Sequence, residues 1–85
     1  MANRSSANVN ALKTELETGL MFSRFALEAK NDANKRARNT ANARKAYDTA
    51  QAWAAKVALA PTDAHEIDTK FERLASALAK LEPKM

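Results

Sequence analysis

Between Lys35 and Lys45 the chain reads KRARNTANARK, five positive charges with no acid among them. Lysine and arginine at that density neutralise phosphates, and single-stranded nucleic acid also needs aromatic platforms beside them. A helical wheel divides this run. Arg38, Lys45 and Lys56 fall together on one flank, a basic stripe with Asn42 and Thr49 nearby. Arg44 falls on another flank beside Asp48, and Arg36 turns toward the core side, within reach of a carboxylate such as Glu28 or one on the third helix. The nearby aromatics, Tyr47 and Trp53, point to the core. The plainer reading of the stripe is the solvated face that any surface helix carries.

Other residues with chemical potential are few. His65 is the single histidine, with Asp68 and Thr69 three and four positions on. One imidazole with scattered carboxylates is a surface first turn before it is a metal or acid–base site. Glu15, Glu17, Glu28, Asp48 and Glu72 lie on helices without the Glu-x-x-His spacing of a bundle metal centre. The sequence has no glycine-rich phosphate loop, nucleophile elbow or cysteine. The expectation is therefore no catalytic, cofactor-binding or metal-binding residue, and no enzyme. Met21, Phe22 and Phe25 stand apart. They are either core, as a helix apolar on two sides allows, or the anchors of a partner groove or dimer interface, where methionine and aromatic residues are enriched.

These residues must be positioned by a small scaffold. Eighty-five residues with one glycine, two prolines and abundant alanine favour helix over sheet. A single domain of this size encloses little volume and relies on idealised helix packing or on self-association. The formal charge of +4 is uneven, with +1 over residues 1–30, +4 over 31–60 and −1 over 61–85. Such asymmetry steers a charged partner. No apolar run approaches the roughly 20 residues of a membrane span, and MANRSSANVN lacks the apolar centre of a signal peptide. A cytoplasmic protein without a membrane partner is expected.

Residues 1–8 read as a flexible polar segment, with Asn8 or Asn10 as a cap, and residues 9–82 as one three-helix domain. The first helix, about Val9 to Ala29, carries Val9, Leu12, Leu16, Leu20, Ser23 and Leu27 on one stripe, and Met21, Phe22, Phe25 and Ala29 off it. Gly19 inside it costs about 1 kcal/mol against alanine, which predicts close approach of another backbone. The second helix, about Ala33 to Ala58 and capped by Asn31 or Asp32, presents Ala43, Ala46, Tyr47, Ala50, Trp53, Ala54 and Val57. Pro61 breaks the chain, Thr62 is the expected cap of the third helix, and Asp63 and Glu66 load its first turn with negative charge. The third helix has a narrow seam of Ile67, Phe71, Leu74, Leu78 and Leu81 and ends at Pro83. The predicted architecture is all-α, an antiparallel up-down-up three-helix bundle.

Two short segments carry a resemblance. GLMF places Gly19 before Phe22, and ARKAYDTA places Ala43, Tyr47 and Ala50, a pattern that resembles the helical hairpin of tetratricopeptide repeats. The Gly19-to-Ala43 separation of 24 residues is about twice what a 34-residue repeat allows. A long hairpin closed by a third helix is more similar to three-helix domains of the microtubule-interacting and trafficking type. That likeness implies a partner helix or extended peptide lying in a groove between two helices. GLMFSRFALEA and NARKAYDTA also look like segments of small uncharacterised bacterial helical proteins, which implies a bacterial origin and no activity. The expected function is a non-enzymatic protein-interaction module taking a protein partner or a second copy as a homodimer. Its partner-binding candidates are Met21, Phe22 and Phe25, with the basic flank of Arg38, Lys45 and Lys56 steering. The alternative is a small basic nucleic-acid-associated protein.

Overall fold

The computed structural model describes residues 4–82, with side chains from Asn8 onward. Three helices follow one another, α1 (Arg4–Glu28), α2 (Ala33–Ala54) and α3 (Pro61–Leu81). They form an antiparallel up-down-up bundle of 49 × 20 × 18 Å. α1 packs along both neighbours, whereas α2 and α3 touch each other sparingly.

The core follows the apolar stripes. Val9, Leu12 and Leu16 of α1 meet Ala43 and Ala50 of α2 and Ile67, Leu74 and Leu78 of α3. Ser23, the polar member of the α1 stripe, is buried and donates its hydroxyl to the Leu20 carbonyl at 2.8 Å, so burial leaves no unpaired donor. Gly19 is a place of close approach, but side chains rather than backbone make it. A methyl group there would lie 2.6 Å from Leu74 Cδ2 and 3.1 Å from Ala46 Cβ. The small residues let three helices converge at one level.

The helix ends depart from the sequence reading for local reasons. α1 begins at Arg4, five residues before the expected start, so Asn8 and Asn10 lie within it and do not cap it. Asp32 does cap α2, accepting from Lys35 N at 2.9 Å. α2 stops at Ala54 rather than Ala58. The amide of Ala55 still reaches Gln51 O, those of Lys56 and Val57 tighten onto Trp53 O and Ala54 O three residues back, and Val57 and Leu59 then fold in against the core. Ala60, not Thr62, is the N-cap of α3. A residue before proline is pushed out of the helical region, so Ala60 is extended (φ −66°, ψ 153°) and Pro61 takes the first helical position. At the other end Glu82, which precedes Pro83 in the chain, is also extended, and Pro83 itself lies outside the described residues.

Ion pairs also link α1 to α3. Lys13 Nζ sits 2.9 Å from Asp63 and 3.1 Å from Glu66, and Lys70 Nζ sits 3.1 Å from Glu17. The hydrogen bond to Asp63, then that to Glu66, raises the Lys13 pKa above its ordinary value. The two acids expected only to favour the helix N-terminus thus also hold α1.

Candidate interaction surface

The two faces of α1 do different things. Leu12, Leu16, Gly19, Ser23 and Ala26 point into the bundle and are buried. Met21 and Phe25, one helical turn apart, remain 38% and 40% exposed on the opposite side. Phe22 is half-buried and packs against the core cluster. The three candidate anchors therefore divide into two that present apolar surface to solvent and one whose ring is largely committed to the fold. Beside Met21, a shallow hollow of about 300 Å³ is lined by Glu17, Leu20, Arg24 and Arg73, between α1 and α3. No carboxylate among the described residues lies within ion-pair distance of Arg24 or Arg73.

A second concavity lies between the C-terminal part of α2 and α3. It is an open cleft of about 600 Å³ lined by Tyr47, Gln51, Ala54, Ala55, Asp68, Phe71 and Glu72. Tyr47 and Phe71 meet edge to face there, with centroids 5.5 Å apart. Arg44 stacks over the outer side of the Tyr47 ring at 5.3 Å and grips Glu82 through two bonds, Nε to Oε2 at 2.9 Å and Nη2 to Oε1 at 2.5 Å. The bonds from Arg44 hold the Glu82 carboxyl below its ordinary pKa, and those to Glu82 raise that of Arg44. Asp48, which the wheel places beside Arg44, is the longer contact at 3.4 Å. The Glu82 link closes the end of the bundle, and periodicity carried no signal for it because it joins positions 38 apart in sequence.

The basic run is dispersed, as the wheel suggested. Arg38 and Lys45 are exposed on α2. Lys56 is exposed too, but it stands beyond the end of α2 in the turn that follows, so helical periodicity does not extend the stripe to it. None of the three has a carboxylate partner among the described residues. Arg36 is half-buried and reaches neither Glu28 nor an acid of α3. Trp53 is not core: it is 40% exposed and lines a hollow of about 200 Å³ with Asn8, Lys56 and Val57. It stands in the last turn of α2, near Asn8 of α1.

His65 is exposed in the first two turns of α3, and its carbonyl accepts from Thr69 Oγ1 at 3.0 Å. Among the described residues no group of three or more His, Cys, Asp or Glu side chains is disposed to hold a metal ion. No described helix is long and apolar enough to cross a membrane.

Comparison of the chain with models of known protein families, with curated proteins and with solved structures finds no match. The helical-hairpin likeness of GLMF and ARKAYDTA rests on those residues alone.

Proposed function

We propose that this chain is a non-enzymatic protein-interaction module whose contact surface is the outer face of α1, with Met21 and Phe25 as anchors. The supporting observation is their shared exposure at i and i+4 while the opposite face of the same helix is sealed into the core. Apolar side chains of that size, grouped on one side, are stabilised by a partner that covers them. Phe22 acts from beneath, holding the backbone that carries them. A cytoplasmic setting belongs to the same proposal.

The competing reading is a nucleic-acid-associated protein using Arg38, Lys45 and Lys56, which are exposed and without acidic partners among the described residues. Light scattering coupled to size exclusion separates the two. Nuclease-treated protein is run alone, and with a short duplex and a single strand, at low and moderate salt. The module reading expects a mass above the monomer that is indifferent to nucleic acid and drops in Phe25→Glu. A monomer that co-elutes with nucleic acid only at low salt reverses the ranking, because phosphate contacts release counterions and weaken steeply with salt.

A further inference from the structure

The exposed pair belongs to a longer pattern. Ala11, Thr14, Thr18, Met21 and Phe25 follow at intervals of three, four, three and four residues, the repeat of a coiled-coil seam. All five are exposed or half-exposed, and none is charged. The stripe runs about 21 Å along α1, opposite the seam that builds the core. Its one open flank carries Asn10, Glu17 and Arg24, and its other flank, with Glu15, Phe22 and Ala29, turns toward the bundle.

We infer that α1 pairs with α1 of a second copy, antiparallel and about a two-fold axis, through this second seam. The inference rests on the interaction-module reading and names its partner. In one register Phe25 packs on Thr14 of the other copy and Met21 on Thr18, and symmetry repeats both contacts. The flank then places Glu17 opposite Arg24 of the other copy, and Arg24 opposite its Glu17, giving two complementary pairs. Sliding by one heptad in either direction sets Glu17 against Glu17 or Arg24 against Arg24. Parallel pairing sets Glu17 against Phe22 and Arg24 against Ala29, with no ion pair. Only the first register pairs opposite charges; it seats Met21 and Phe25 on threonine, whereas the register that would stack Met21 on Phe25 of the other copy sets Arg24 against Arg24.

The structure leaves both charges available. Glu17 contacts Lys70 through Oε2 alone, with its side chain 59% exposed. Arg24 has no acidic partner among the described residues, and Arg73 on the same hollow adds to the positive field that an incoming carboxylate would meet. Alanine and threonine at three of the five seam positions let the helices approach closely. A contact this short falls at the small end of interfaces, below about 1,200 Å², so the dimer is weak, with a dissociation constant on the order of micromolar to a hundred micromolar.

The test is a charge swap measured by sedimentation equilibrium from about 1 µM to 1 mM, a range that brackets the expected constant. Wild type should dimerise with concentration. Arg24→Glu and Glu17→Arg each turn two attractive pairs into two repulsive ones and should weaken the homodimer about tenfold. An equimolar mixture of the two variants restores both pairs and should recover dimerisation at about the wild-type level. Circular dichroism of each variant checks folding, which matters for Glu17→Arg because it also faces Lys70. A wild-type monomer throughout overturns the pairing. A dimer that both variants leave intact but Phe25→Glu abolishes keeps the outer-face reading and overturns this arrangement. So does a mixture that fails to recover. A dimer indifferent to all three variants overturns the surface as well.

Discussion

Replacing Gly19 by alanine sets two effects of known size against each other. In an exposed helix interior the change stabilises by about 1 kcal/mol, because glycine loses more backbone freedom on folding. At this position the new methyl would stand 2.6 Å from Leu74 Cδ2 and 3.1 Å from Ala46 Cβ. Carbon atoms prefer about 3.5–4.0 Å, so the first contact is short by about an ångström. Leu74 is fully buried within the core cluster, and its methyl swings away only by displacing neighbours. The Ala46 methyl has no rotamer and moves only with α2. Overpacking of this kind costs about 1–3 kcal/mol. The cost exceeds the gain, and the expected net loss is about 1 kcal/mol, a fall in Tm of about 4–8 °C for a domain of this size. Urea unfolding followed by helical circular dichroism reads it directly. A cycle with Leu74→Ala identifies the cause, since without the Leu74 methyls the alanine should cost less or help, a coupling of about 1–2 kcal/mol. A Gly19→Ala protein that is more stable than wild type by about the propensity value, or a cycle that is additive, would refute the argument.

Three other outcomes follow from single contacts. Glu82→Gln should cost about 0.5–1 kcal/mol near neutral pH, the scale of a solvent-screened but bidentate pair. Because Arg44 holds the folded Glu82 carboxyl below its ordinary value of 4.5, this contribution is complete above that value and is lost as pH falls through the depressed one. The wild-type advantage in urea should therefore shrink in acid, and a difference that stays constant until acid unfolding would contradict the assignment. Trp53→Ala should cost about 1–2 kcal/mol in the same assay, well short of the roughly 3–5 kcal/mol of a buried aromatic, since 40% of the residue is exposed. Asp32→Ala should cost about 1 kcal/mol through loss of the bond to Lys35 N, with hydrogen exchange rising first in the opening turn of α2; a neutral change would show that water replaces the cap.

Much of the bundle was legible in the sequence because helical burial is periodic. The spacing of Val9, Leu12 and Leu16, of Ala43, Ala46 and Ala50, and of Ile67, Leu74 and Leu78 names the core faces without coordinates, and each of these residues is buried. Asp32 as a cap and the break around Pro61 were likewise legible, since both act within four residues of backbone. The scatter of the basic run along α2 also follows from local geometry, because the angle between successive residues is fixed inside a helix.

What the tertiary structure alone decided concerns residues at the edges of those faces and contacts between distant positions. Met21, Phe22, Phe25 and Trp53 are all large and apolar, and a wheel cannot say which will be covered; that depends on what the neighbouring helix offers at the same level. Phe22 meets the core cluster, whereas Trp53 borders an open hollow beside Asn8 and Lys56 and stays exposed. Gly19 signalled a close approach, but only the convergence of Leu74 and Ala46 identifies what approaches. Lys13 with Asp63 and Arg44 with Glu82 join positions 50 and 38 apart, where no sequence period reaches. The sparing contact of α2 with α3, beside which the Tyr47–Phe71 cleft lies, depends on how the side chains of all three helices pack together, and that fit is a property of the whole assembly.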